Sequence, residues 1–191
     1  MPGPPGWCPT CCCRPGTCGR SRRRRTSWSR CCGRSRTPGM SHLPDPATFS
    51  HRGDQPSAGR TRFVATGAQT RGDFGLFEVA MPPGGDGPVP HLHRSFSEAF
   101  HVLEGSLAVL ANGEWTTAHA GDLLYVPRSG VHAFRSAGPD VGARFLILFT
   151  PGIPREDYFT GLLELHADGR TPTTEEIDEF ALRHDQLNLR D

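Results

Sequence analysis

The stretch GDGPVPHLHRSFSEAFHVLEG, residues 85–105, decides how this chain is read, together with GDLLYVPRSGVH at 121–132. His91 and His93 are two apart, so on an extended strand both imidazoles leave the same face and their ring nitrogens can share one ion. Glu98 lies five beyond His93 and would face the other way on one unbroken strand. Arg94 to Ser97 must therefore turn, and Glu98 must open the neighbouring strand. His132 follows the turn from Pro127 to Gly130 and enters the same interior from a third strand. Three neutral imidazoles and one carboxylate make a mixed nitrogen and oxygen donor set, suited to one divalent transition metal: Fe, Mn, Co, Ni, Cu or Zn. Positions would remain open for water, substrate or dioxygen.

Around these stretches, from about Thr61 to Pro151, short apolar runs are punctuated by Gly, Pro, Asn and Asp, which predicts antiparallel strands joined by tight turns. The expected strands are Arg62–Thr66, Gly75–Met81, His91–His93, Ala99–Leu103, Leu107–Ala111, Trp115–Ala118, Leu123–Val126, His132–Ser136 and Arg144–Thr150. Asn112-Gly113 is a type I′ hairpin signal, because both central residues of that turn need positive φ. Nine strands at this spacing imply an all-β domain, a closed barrel or a sandwich. The run from Arg144 to Phe149 is nearly continuous in apolar residues, as for a mid-sheet strand buried on both faces. After Pro154 the period lengthens to about 3.6. Tyr158, Phe159, Leu162 and Leu163 share one face of a first helix. Thr173 and Glu176 form a capping box for a second, on which Ile177, Phe180, Ala181 and His184 recur at helical spacing. The two helices are expected to cover an open side of the barrel or a partner subunit.

The 191 residues carry a formal net charge of +1, an average over two unlike pieces. Residues 1–39 hold nine arginines, all seven cysteines and no acidic residue; all nine histidines lie later. Almost without aliphatic residues, this segment cannot bury enough apolar surface to offset its ordering entropy and is predicted to be disordered. Arg22 to Arg25 precede no apolar stretch, so they do not make a secretion signal. Cys8 and Cys11 form a lone CxxC without a second pair, and the arginines have only Trp7 and Trp28 as aromatic neighbours, so neither a zinc site nor a nucleic-acid partner is expected. Met40 is read as a plausible true start, with 1–39 an upstream extension. Residues 40–60 would form an arm, 61–151 the barrel and 152–191 the helices. The part from Met40 has no cysteine and no apolar run of membrane-spanning length, which points to a cytoplasmic protein without disulfides or a membrane partner.

The two histidine stretches resemble the motifs of the cupin superfamily. The first motif, G(X)5HXH(X)4E(X)6G, is matched at Gly85, His91, His93, Glu98 and Gly105 with every spacing intact. The second, G(X)5PXG(X)2H(X)3N, is matched at Gly121, Pro127 and His132, with Gly130 one position late and Ser136 in place of the Asn. The resemblance covers roughly Arg62 to Pro151. It implies a double-sheet β-barrel (jelly roll), a homodimer, and a metal held by His91, His93, Glu98 and His132. Within the superfamily the chain is similar to the single-domain microbial cupins that resemble quercetin 2,3-dioxygenase. In that group the metal orients a flavonol or another enolisable compound for attack by dioxygen, and the ligand carboxylate doubles as the base. Glu98 would then be the catalytic residue, with a pKa raised toward neutrality by burial. Phe100, Val102 and Phe134, with Phe77 and Met81, share the inward parity of the ligands and are expected to line a pocket for a planar phenolic. No arginine is placed inside: Arg94 and Arg128 fall on turns, and His101 and His119 are read as structural. A non-oxidative isomerase or lyase and a ligand-binding barrel without catalysis remain the alternatives.

Overall fold

The computed structural model describes residues 46–167, 169 and 171–190. Segment 1–39, with its cysteines, its arginine cluster and the start at Met40, lies outside the described residues.

Ten strands and two helices follow in chain order: β1 (Ser57–Ala58), β2 (Thr61–Ala65), β3 (Gly75–Met81), β4 (His91–Leu92), β5 (Ser97–Ala111), β6 (Glu114–His119), β7 (Leu123–Val126), β8 (His132–Ser136), β9 (Ala143–Thr150), α1 (Glu156–Glu164), α2 (Thr174–Arg183) and β10 (Leu187–Asn188). A short 3-10 turn at Arg52–Asp54 precedes them. The centre is the antiparallel trio β3, β9 and β5, in which Phe77 stands opposite Ile147 and Ile147 opposite Phe100. Burial alternates along β3 and β9 with a period of two, so one face carries Phe77, Val79, Met81, Phe145, Ile147 and Phe149 into the core. Each such side chain contributes about 1.5–3 kcal/mol by leaving water. The other face of β9, with Leu146 and Leu148, is only half-buried, so this strand is mid-sheet but not covered on both sides.

β5 is one strand of fifteen residues where the sequence suggests two. Gly105, between the two expected strands, has φ 71° and lets the strand run on past a bulge between Val102 and Glu104. A Cβ at Gly105 would stand 2.0 Å from the Gly142 carbonyl oxygen, so only glycine fits this crossing. The first part of β5 pairs with β9 and β7, and the part beyond Gly105 with β6 and β8. Asn112 and Gly113, at φ 54° and 83°, close the β5–β6 hairpin as expected.

The expected closed barrel, or jelly roll, is not what forms. The sheet runs β1-β2-β3-β9-β5-β8-β4-β10, with β6 and β7 attached to β5 alone, and its end strands β1 and β10 do not meet. The reason lies in the outlying strands. β6, EWTTAH, is exposed along nearly all its length, and β7 turns only Leu124 and Val126 to the core while Leu123 and Tyr125 face solvent, so both end as attachments to β5. The two terminal strands are two residues each, too short to offer a ladder.

Thr173 and Glu176 exchange both bonds of the capping box and start α2. α1 buries Tyr158, whereas Leu163, assigned to the same apolar face, is 48% exposed. Among the described residues no helix is long and apolar enough to cross a membrane.

Candidate metal centre and its cavity

β4 delivers His91, the residue just after it is His93, β5 supplies Glu98 as its second residue and β8 supplies His132 as its first. His91 stands directly opposite His132 in the β4–β8 pairing, with ring centroids 4.2 Å apart. One ligand atom from each of the four residues lies within 4.8 Å of every other, and all four side chains are buried. His132 Nε2 is 2.7 Å from Glu98 Oε2, and His93 Nε2 is 3.3 Å from Glu98 Oε1.

Backbone carbonyls set the tautomers. The Nδ1 of His91 faces the Val89 oxygen at 2.8 Å, that of His93 the Asp185 oxygen at 2.6 Å, and that of His132 the Gly130 oxygen at 3.0 Å. A carbonyl only accepts, so each Nδ1 carries the proton and each neutral ring turns an Nε2 lone pair toward the others. His132 Nε2 then meets a carboxylate oxygen lone pair to lone pair, an arrangement that needs a proton or a cation between them. His93 Nε2 is buried without any hydrogen-bond partner. Donor atoms around one first-row ion stand about 3 Å apart, so the spacing, the orphaned nitrogen and the N3O chemistry all fit a single transition metal.

Burial, then the neighbouring His132, pushes the His91 pKa down to about 3, with Glu98 opposing, so this ring is neutral at pH 7. Glu98 departs from expectation. Burial pushes its carboxyl up, whereas a proton or cation shared with His132 and His93 pushes it down, below the ordinary carboxylate range.

His91 and Glu98 form part of the wall of a cavity of about 470 Å³. Of the side chains expected there, Phe134 lines it; Phe100, Val102, Phe77 and Met81 pack instead into the hydrophobic core. The rest of the apolar lining is Ile147 and Phe149 of β9 with Phe159, Leu162 and Ile177 of the helices. The helices thus roof the cavity of their own chain.

Two features were not legible. Asp185, on the turn after α2, reaches back across 92 residues to His93 and also accepts from the Arg94 and Ser95 backbone through its carboxylate. Arg155, immediately before α1, lines the cavity and is buried, and nothing local in the sequence marks it. Arg94 lies by the Asp185 bond and Arg128 beside a shallower surface depression. His101 bonds the Asp122 carbonyl and His119 the Ser106 hydroxyl, outside the centre. Ser136, in the place of the motif Asn, ties the Gly84 amide to the loop at Val141. Ser129 takes the positive φ, 64°, at the position where the motif has Gly.

The family model for the cupin domain matches residues 77–149. The chain is 33% identical over 102 residues to quercetin 2,3-dioxygenase of Bacillus subtilis (strain 168), a match covering 50% of this chain and 30% of that protein. It is 31% identical over 111 residues to the tetracenomycin polyketide synthase protein TcmJ of Streptomyces glaucescens, covering 56% of this chain and 69% of that protein. Among solved structures it is similar to the polyketide cyclase RemF from Streptomyces resistomycificus, at 27% identity and a TM-score of 0.46 over 55% of this chain and 79% of that one.

Proposed function

The chain belongs to the cupin superfamily, and from that premise we propose that it is a metal-dependent dioxygenase acting on a small, planar, enolisable aromatic compound of the flavonol kind. The observation that carries this is the convergence of three Nε2 lone pairs and the Glu98 carboxylate on one point in the wall of a largely apolar cavity. His91, His93, Glu98 and His132 would hold the metal, which supplies Lewis acidity toward an ionised substrate oxygen and, where redox-active, a route for electrons to dioxygen. Phe134, Phe149 and Phe159 receive the ring system and keep water from it. Glu98, as a carboxylate, is in the form that accepts a hydroxyl proton from the substrate at a carboxylate oxygen. The likeness to quercetin 2,3-dioxygenase supports the substrate class. We also propose a homodimer in the cytoplasm.

A non-oxidative isomerase or lyase working at the same three-histidine, one-carboxylate centre is the alternative. Elemental analysis of the full chain, expressed with Fe, Mn, Co, Ni, Cu and Zn supplied together, decides between them alongside Glu98→Ala and His93→Ala. Near-stoichiometric redox metal, lost in both variants, with oxygen uptake on adding quercetin, is the expected result. Zinc without oxygen uptake would transfer the assignment to non-oxidative chemistry. A parent chain that retains no metal would refute both and leave a ligand-binding protein.

A further inference from the structure

Arg155 is 3% exposed, lines the cavity and forms no ion pair with any carboxylate of the described residues. Its Nη1 donates to the His184 carbonyl at 2.8 Å and its Nη2 to Gln186 Oε1 at 3.4 Å, while its Nε has no hydrogen-bond partner among the described residues. A guanidinium has five N–H donors, so three are unspent. Tyr158 stacks under it at 3.9 Å, with the Phe96 and Phe149 rings 5.4 and 5.5 Å away.

This is an expensive place for a cation. Buried guanidinium groups are ordinarily paired with carboxylates, because desolvation is otherwise uncompensated. Aromatic faces offset part of that cost, but an apolar side chain would fill the same space without incurring it. The two other arginines of the lining differ: Arg190 is paired with Asp178 at 2.8 Å, and Arg60 is exposed and turned to the Asp86 carbonyl. Tyr158, whose phenol is kept protonated by burial above all, stands beside Arg155 as a further neutral donor in the same wall.

We propose that Arg155 is the anion-recognising residue of this cavity, and that the ligand is a planar, mostly apolar acid whose carboxylate accepts from the unspent guanidinium donors while its rings lie against the phenylalanines. This rests on the cavity being the substrate site and narrows the substrate class from neutral phenolics to anionic ones. It also gives the C-terminal segment a role in selection, since Arg155, Tyr158 and Gln186 all follow β9 in sequence.

The test is calorimetric titration of the full chain with 1-hydroxy-2-naphthoate and with the uncharged 1-hydroxy-2-naphthamide, in the parent, Arg155→Met and Arg155→Lys, before and after dialysis against a chelator. The parent should prefer the acid by about 10- to 100-fold, the range of charge-assisted hydrogen bonds. Arg155→Met should lose that preference while still binding the amide, with a melting temperature close to the parent's, because the relieved desolvation of the guanidinium offsets its lost bonds to His184 and Gln186. Arg155→Lys should retain part of the preference. Equal binding of acid and amide by the parent would overturn the proposal, as would a preference that survives in Arg155→Met and disappears with the chelator. Unfolding of both variants would assign Arg155 to bracing His184 and Gln186 and would overturn it too. Acid preference in a parent that holds no metal would leave this inference standing and remove the dioxygenase; metal without acid preference would do the reverse.

Discussion

Replacing Asp185 by Ala should both destabilise the chain and loosen its metal centre, although the residue lies far from the ligands in sequence. Its Oδ2 accepts from the Arg94 amide at 3.1 Å, the Ser95 amide at 2.7 Å and the Ser95 hydroxyl at 2.6 Å. Its own carbonyl receives the His93 Nδ1 proton at 2.6 Å. Bonds to an ionised acceptor are worth about 1.5–3 kcal/mol when buried, and nearer 1 kcal/mol on a loop whose amides can return to water. Asp185 also sits at φ 54°, where Ala is strained by about 1 kcal/mol more than Asp, which tolerates the left-handed region. Together these give a loss of about 2–4 kcal/mol. Asp185→Asn keeps an acceptor and the tolerance of that backbone, and should lose only about 1 kcal/mol. Urea denaturation of both variants measures the stabilities, and metal retained after dialysis reads the centre. Because the turn at residue 185 orients the His93 ring, Asp185→Ala should weaken metal affinity about 10- to 100-fold, the usual effect of removing a partner that orients a ligand. A Asp185→Ala chain within 0.5 kcal/mol of the parent, a change too small to count on a surface loop, would refute the reasoning. So would unchanged metal retention.

Ser129→Gly should stabilise the chain by about 0.5–1 kcal/mol, since relief of the positive φ exceeds the entropy that Gly adds to the unfolded chain; a lower urea midpoint would contradict it. Thr173→Ala removes the capping box of α2 and should cost about 1 kcal/mol, seen as a matching drop in denaturation free energy. Acidification should release the C-terminal strand first. The Arg190 guanidinium, then the Asn188 amide, hold the Asp178 carboxyl below its ordinary value of 3.8 against a slight upward push from burial. A depressed acid supports the fold fully above its unfolded-state pKa and loses that support as the pH falls through the native one. The Leu189 amide, which donates to the Pro90 carbonyl at 2.7 Å, should therefore lose exchange protection below about pH 4; protection unchanged from pH 6 to pH 3 would contradict this.

Much of the sheet was legible because its signals are local. Strands β3, β7 and β8 fall at the expected residues, and the Asn112-Gly113 turn and the Thr173 capping box need only their immediate neighbours. The convergence of His91, His93, Glu98 and His132 was legible for a related reason: a period of two and a forced turn at Arg94 to Ser97 put the side chains on facing positions. Side-chain parity said less about the cavity. It distinguishes inward from outward, but Phe100 and Phe134 are both inward, and only the placement of other elements makes one core and the other wall.

By itself, then, the order of residues determined the strand periods, the caps and turns, and which four side chains can meet at one point. Tertiary structure decided what depends on partners distant in the chain. Closure of the sheet failed because its end strands, β1 and β10, are two residues each and do not pair. The direction of the Glu98 pKa, downward and not upward, came from its closeness to His132 and His93 against burial. The Asp185 carbonyl behind His93 and the Arg155 guanidinium in the cavity wall were set by the path of the chain after β9. Backbone periodicity acts over a few residues, whereas desolvation and charge are sums over everything that packs within a few ångströms, whatever its position in the sequence.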